Sequence, residues 1–203
     1  TTEGHKDKVS NILGNSKNVF NVGSLSLSEI KNTDIKSLED FKKEFDLSFS
    51  NFVLFTYHPA TSSNDSIKHQ LEILEESILI ISRNTHLIIT SSNSDEDGDK
   101  FNHLWLSLSR KINNITFIKS LGKKWYFTAM SHASFVAGNT SSGIIESASF
   151  QKYFVNIGDR QKGRDQSKNV INVELQKKFI ILGFIEADKP YQGRNVYYKE
   201  STI

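Results

Sequence analysis

"FVLFTYHPATSSNDSIKHQLEILEESILIISRNTHLIIT", residues 52–90, opens and closes on a short apolar run and carries a helical stripe between them. The runs at 52–57 and 86–90 are apolar nearly throughout, as strands buried on both faces are. Between them Ile67, Leu71, Leu74, Ile78 and Ile81 recur at spacings of three and four, the period of a helix lying on a sheet. Strand, helix and strand in that order make a right-handed βαβ unit and predict a parallel sheet.

The same alternation extends outward. Further strands are predicted at 18–22, 115–118, 134–138, 153–157 and 169–173, and helices at 3–13, 37–46, 65–82, 98–112, 123–132, 143–150 and 175–185. The chain therefore reads as α/β, a Rossmann-like parallel sheet with helices on both faces. Ligands of such sheets sit beyond the carboxyl ends of the strands. "YHPATSSND", "GNTSSG" and "GDRQKGR" each follow a strand, so three polar loops are expected on one edge.

Composition narrows the function. The 25 basic and 23 acidic residues leave a net charge of +2, scattered along the chain, which gives no case for nucleic acid. No cysteine is present, so thiolate chemistry, disulfides and Cys metal sites are excluded. No apolar run approaches the length of a membrane span and no signal-peptide pattern opens the chain, so a cytoplasmic protein away from membranes is expected. The six histidines show no metal-ligand spacing, and "SSNSDEDGD" (91–99) lacks the ligand order of a calcium loop. The first residue is not Met, which suggests processing or a fragment.

"GNTSSGIIE" (138–146) brings Thr140, Ser141 and Ser142 to the predicted start of a helix near Ser142 or Gly143, where free amides and hydroxyls suit a diphosphate. Taken alone it reads first as a loop with an ordinary Ser N-cap. Ile144 and Ile145 stand where a Walker loop needs Lys and Ser or Thr, which excludes that reading. Glu146, in the first helical turn, favours the helix dipole and could also accept the hydroxyls of a ribose. Arg160 in "GDRQKGR" can grip phosphate oxygens. Pro59 keeps His58 extended, which projects the imidazole from the end of its strand towards a leaving group.

Together "VFNVGSLSL", "FVLFTYHPAT", "GNTSSGIIE", "VNIGDRQKGR" and "KPYQGRNV" resemble the hydrolysing UDP-N-acetylglucosamine 2-epimerases of bacterial sialic and legionaminic acid pathways. The resemblance implies a GT-B architecture of two Rossmann-like domains, with residues 1–35 the last piece of the N-terminal domain and its linker, and 36–203 the C-terminal UDP-binding domain. It implies that Thr140, Ser141, Ser142 and Gly143 hold the diphosphate with Arg160, that Glu146 holds the ribose, and that His58 faces the diphosphate and sugar. It also places Tyr126, in "LGKKWYF", where the family contacts uracil. The implied reaction eliminates UDP with loss of the C2 proton and then hydrates the intermediate to the free 2-epimer, without metal or cofactor. The substrate would be UDP-N-acetylglucosamine or a related UDP-diacetamido sugar, and the full-length protein a homodimer. The carboxylates thought to move the C2 proton belong to the other domain, so the chain alone is expected to be inactive. A GT-B glycosyltransferase and a non-catalytic nucleotide-sugar-binding domain are the alternatives. The tail "YQGRNVYYKESTI" departs from the family's "YGDGN" run at Gln192 and Arg194.

Overall fold

The computed structural model describes residues 1–60, 65–93 and 97–200. Helices α1 (Glu3–Leu13), α2 (Leu25–Lys31) and α3 (Leu38–Phe45) precede strand β1 (Phe52–Thr56). Then come α4 (Ile67–Ile81), β2 (His86–Thr90), α5 (Gly98–Lys111), β3 (Ile115–Ile118) and α6 (Gly122–His132). The chain continues through β4 (Val136–Gly138), α7 (Ser141–Ile145), a 3-10 turn (Ser147–Phe150), β5 (Phe154–Ile157), β6 (Val170–Val173) and α8 (Lys177–Ala187). All five strand pairings are parallel, in the spatial order β3-β2-β1-β4-β5-β6. That order reverses between β1 and β4, so the loops after these two strands diverge and leave a crevice at the sheet's carboxyl edge.

The apolar strands have the burial their composition implies. All five residues of β1 are buried. On one face α4, α5 and α8 enclose a core that includes Phe55, Leu74, Ile78, Trp105 and Phe184. On the other, α3, α6 and α7 enclose Phe41, Leu54, Met130, Ile144 and Phe154, and Leu27 of α2 joins them. Core contacts therefore run without a break from α2 into the sheet.

The helix on the opening stretch turns its predicted stripe inward with one change. Leu74, Ile78 and Ile81 are buried while Ile67 and Leu71 pack at the margin, and the polar Gln70 and Ser77 share the buried face. Gln70 is there for a reason: its side-chain amide bonds the backbone of Ala60 (3.1 and 3.2 Å) and of Asp65 (3.0 Å). It thus ties both ends of the loop after β1 to the helix that follows. Residues 61–64 of "YHPATSSND" and 94–96 of "SSNSDEDGD" lie outside the described residues.

Two expectations fail. Residues 18–22 form no strand: they pair with none of the six strands, and an apolar run without a neighbour's open edge has no ladder hydrogen bonds. The helix predicted from 143 starts at Ser141 instead, because Thr140 accepts the amide of Ser142 and so caps it. It also ends at Ile145, and the chain tightens into the 3-10 turn. Helix α2 was not predicted at all: "LSLSEIK" is short and has too few apolar residues to display a period.

Candidate functional site

The loops after β1, β4 and β5 meet at the carboxyl edge, because these three strands are neighbours in the sheet. Asn139, immediately after β4 and fully buried, is where they are joined. Its side chain accepts from the His58 amide (2.8 Å) and donates to the His58 carbonyl (2.9 Å). Its own carbonyl accepts from Nη1 of Arg160 (3.3 Å) and from Nε2 of Gln161 (2.8 Å). Its backbone amide donates to the carbonyl of Thr56 at the end of β1 (3.1 Å). One asparagine thereby fixes His58 and Arg160 relative to each other and to the Thr140 loop.

The His58 ring is fixed as well. The backbone amide of Asn93, after β2, donates to its Nδ1 (2.9 Å). An amide is only a donor, so Nδ1 of the neutral ring is the acceptor and Nε2 carries the hydrogen. The imidazole is therefore a donor through Nε2.

The diphosphate candidates divide by role. Thr140 is buried and its Oγ1 caps α7 (3.3 Å to the Ser142 amide), while Ser141 is half-buried at the first turn. Ser142 Oγ and the Tyr126 hydroxyl are both buried without a hydrogen bond. Burial raises the Tyr126 phenol above its ordinary value, and the hydroxyls of Ser142 and Thr56 lie near enough to oppose that without meeting hydrogen-bond geometry. The structure thus places Tyr126 beneath the Thr140 loop, with its polar atom turned away from solvent. Gly143 packs against β5: a Cβ there would come within 2.2 Å of the Phe154 ring. This close approach is to the protein's own core and needs no ligand to explain it.

Glu146 caps the C-terminal end of α7 and is buried. Burial raises its carboxyl, the Ser142 and Ser26 hydroxyls partly offset this, and nearby Glu29 adds to the rise. Sequence reading missed Ser26 and Glu29 because both come from α2. Glu29 is itself paired with Lys123 (3.2 Å). In the basic loop only Arg160 turns to the site, since Lys162 and Arg164 are exposed. Asn139 and Gln161 were missed too, although the first lies inside the loop that sequence reading singled out. A cleft of about 480 Å³ at this edge is lined by Tyr57, Asp159 and Glu174 among others, and by none of Thr140, Ser141, Ser142 or Glu146.

The tail closes over the same region. The Gln151 side chain bonds both the amide and the carbonyl of Gly193 (3.0 and 3.1 Å), and Asn195 donates to the Ile145 carbonyl (2.7 Å). Tyr197 is buried, with its hydroxyl on the Asp165 carbonyl (2.8 Å) and its own carbonyl accepting from the Ser24 amide (2.9 Å). Gln192 and Arg194 lie exposed beside these contacts.

A parallel sheet of this strand order, with polar loops gathered where the order reverses, defines a doubly wound α/β domain. The chain belongs to the UDP-N-acetylglucosamine 2-epimerase family, whose model matches residues 1–202. It is 34% identical to the hydrolysing GDP/UDP-N,N'-diacetylbacillosamine 2-epimerase of Campylobacter jejuni over 161 residues, 78% of this chain and 42% of that protein. It is 30% identical to the hydrolysing UDP-N,N'-diacetylbacillosamine 2-epimerase of Legionella pneumophila over 194 residues, 93% of this chain and 50% of that one. The UDP-GlcNAc 2-epimerase of Methanocaldococcus jannaschii, solved in complex with UDP-GlcNAc and UDP, has the same fold (TM-score 0.74, 17% identity) over 98% of this chain and 56% of that one. The fold is that of one half of a GT-B architecture, and the chain spans about half the length of the curated relatives it matches. Among the described residues no helix is long and apolar enough to cross a membrane.

Proposed function

We propose that this chain is the UDP-binding half of a hydrolysing UDP-sugar 2-epimerase, which converts a UDP-2-acetamido sugar to the free 2-epimer and UDP by elimination and hydration. The observation that carries the reading is the hydrogen bonding of Asn139, which holds His58 and Arg160 at fixed positions beside Thr140. Arg160 would meet the charge that builds on the departing diphosphate, and the Nε2 hydrogen of His58 would donate to it. Ser141 and, once its buried Oγ turns outward, Ser142 would add hydroxyl donors. Glu146 is a buried acceptor with two hydroxyls near it and no ion pair among the described residues, and the paired hydroxyls of a ribose are the donors such a carboxylate accepts. Tyr126 would contact the uracil, with its hydroxyl turned under the Thr140 loop. The hydrolysing relatives at 34% and 30% identity support the choice of reaction.

In the same proposal residues 1–35 are the last piece of a second domain and its linker, with α2 of the linker already packed through Leu27 on the core. Ile12, Phe20 and Leu25 are 84%, 77% and 77% exposed, which is the surface an apolar segment shows when its packing partner is elsewhere. Residues 36–203 then form the UDP-binding domain proper.

Calorimetric titration with UDP tests the site. UDP should bind the chain, and Arg160→Ala and Glu146→Ala should each weaken it by roughly tenfold or more, the cost of losing a hydrogen bond to a charged group. Unchanged affinity in both variants would remove the site from this edge.

A further inference from the structure

The hydroxyl of Ser142 lies between two groups and is bonded to neither. Ser142 is in α7 and Glu146 stands four residues on at its end, so they share one face, and the Glu146 amide donates to the Ser142 carbonyl (2.8 Å). Tyr126, on α6, brings its phenol to the same place. Ser142 Oγ and the Tyr126 hydroxyl are both buried without a hydrogen bond, although Ser142 lies near enough to Tyr126 and to Glu146 to act on each. The other hydroxyl beside Tyr126, that of Thr56, is already shared with Thr90 (2.6 Å). The other hydroxyl beside Glu146, that of Ser26, is shared with Ser24 (3.0 Å).

A serine hydroxyl has a single hydrogen, so it can ease the Glu146 carboxylate or meet a phosphate oxygen and cannot do both. In the empty chain the inward task wins. Glu146 is buried with no ion pair among the described residues, and Ser142 and Ser26 are the hydroxyls that favour its charged form. Taking the Ser142 hydrogen away leaves that charge with one hydroxyl, and a buried charge stripped of a donor is costly. The balance changes when another donor reaches Glu146. Two ribose hydroxyls would make the Ser142 hydrogen surplus there, and turning Oγ outward to a diphosphate oxygen then costs only a side-chain rotation. We infer that Ser142 makes this site selective for a nucleoside diphosphate over either of its halves: the hydroxyl serves Glu146 until a ribose relieves it, and only then serves the diphosphate. The two parts of one ligand therefore bind cooperatively, which two residues each contacting its own part could not produce. This selectivity rests on the proposed UDP-binding function, in which Glu146 takes the ribose.

Calorimetry with UDP and with inorganic diphosphate, on the 203-residue chain and its Ser142→Ala, Glu146→Gln and double variants, tests this. In the wild-type background Ser142→Ala should weaken UDP by roughly tenfold and change inorganic diphosphate by less than about twofold, because without a ribose the hydroxyl stays with Glu146. In the Glu146→Gln background a neutral amide holds the hydroxyl far less strongly than a carboxylate does. There the same Ser142→Ala change should weaken inorganic diphosphate by roughly tenfold. Comparing Ser142→Ala in the two backgrounds cancels the effect of removing the Glu146 charge itself, and a serine with only a structural part would weaken both ligands alike in both. Equal loss of UDP and inorganic diphosphate in the wild-type background would make Ser142 a permanent phosphate donor and overturn the coupling. An inorganic diphosphate affinity indifferent to Ser142 in both backgrounds would overturn it as well. A wild type that binds no UDP would instead remove the site and the coupling together.

Discussion

At Glu146 stability and binding pull in opposite directions. Its carboxyl is raised by burial, so between the ordinary carboxylate value of 4.5 and its folded value the native chain holds more protons than the unfolded one. Stability then falls as pH rises through that window, and above it the buried charge remains a cost. Glu146→Gln should therefore raise the melting temperature at neutral pH and flatten its pH dependence, while UDP affinity drops by roughly tenfold. Thermal melts from mildly acid to neutral pH, paired with calorimetry, check both; a variant less stable at neutral pH would mean the carboxylate is already satisfied. Asn139 makes the complementary case, since its side chain serves His58 by two hydrogen bonds. In a double-mutant cycle on UDP affinity, Asn139→Ala should cost roughly tenfold in the wild type and much less in a His58→Ala background, because the two act as a unit. Additive losses would leave Asn139 only a structural part. That His58, Thr140 and Arg160 come together was legible because each stands two or three residues beyond a strand's end. Asn139, Gln161 and Ser26 were not, because what they do depends on which strands are neighbours and on a helix too short to announce itself.

Among the elements, α7 is the most constrained. It is five residues long, too short to be stable by itself, and it is held by the Thr140 cap and by its packing on β5. Gly143 sits under it with the Phe154 ring where a side chain would go. Gly143→Ala must displace that ring or lift the helix, and a cost of about 1–3 kcal/mol is expected from such overpacking. Denaturant unfolding gives the loss, and a variant as stable as wild type would show that Phe154 moves freely. Gly138 stands at the start of the same loop at φ +127°, where a Cβ would be 1.8 Å from the Thr56 carbonyl oxygen, so β4 and β1 can pair there only around a glycine. What requires glycine at both positions is the protein's own Phe154 ring and Thr56 carbonyl, which the sequence does not show. The strand and helix pattern from 52 to 187 was legible because burial on two faces leaves long apolar runs and clear stripes. "NVFNV" carried the same signal and formed no strand, since periodicity reports what a segment can pair as and says nothing of whether a partner is there.

For the whole molecule, binding the leaving group and moving the proton are separable tasks. The carboxyl edge offers a guanidinium, an imidazole donor and hydroxyls, all suited to a departing diphosphate. Abstraction of a C2 proton needs in addition a base held against the sugar ring, which the proposed function assigns to a second domain. The chain spans about half of each curated relative, and Ile12, Phe20 and Leu25 within residues 1–35 are largely exposed. The 203 residues are therefore expected to bind UDP and to leave a UDP-sugar unchanged. Incubation with UDP-N-acetylglucosamine in heavy water, followed by NMR, should show neither free sugar nor deuterium at C2, while the full-length Legionella relative run with its own UDP-sugar provides the positive control for label at C2. Release of a C2-deuterated sugar by the chain alone would place the proton-transfer group within these residues, and the carboxylates at this edge, Asp65 and Asp159, would then be the first to replace.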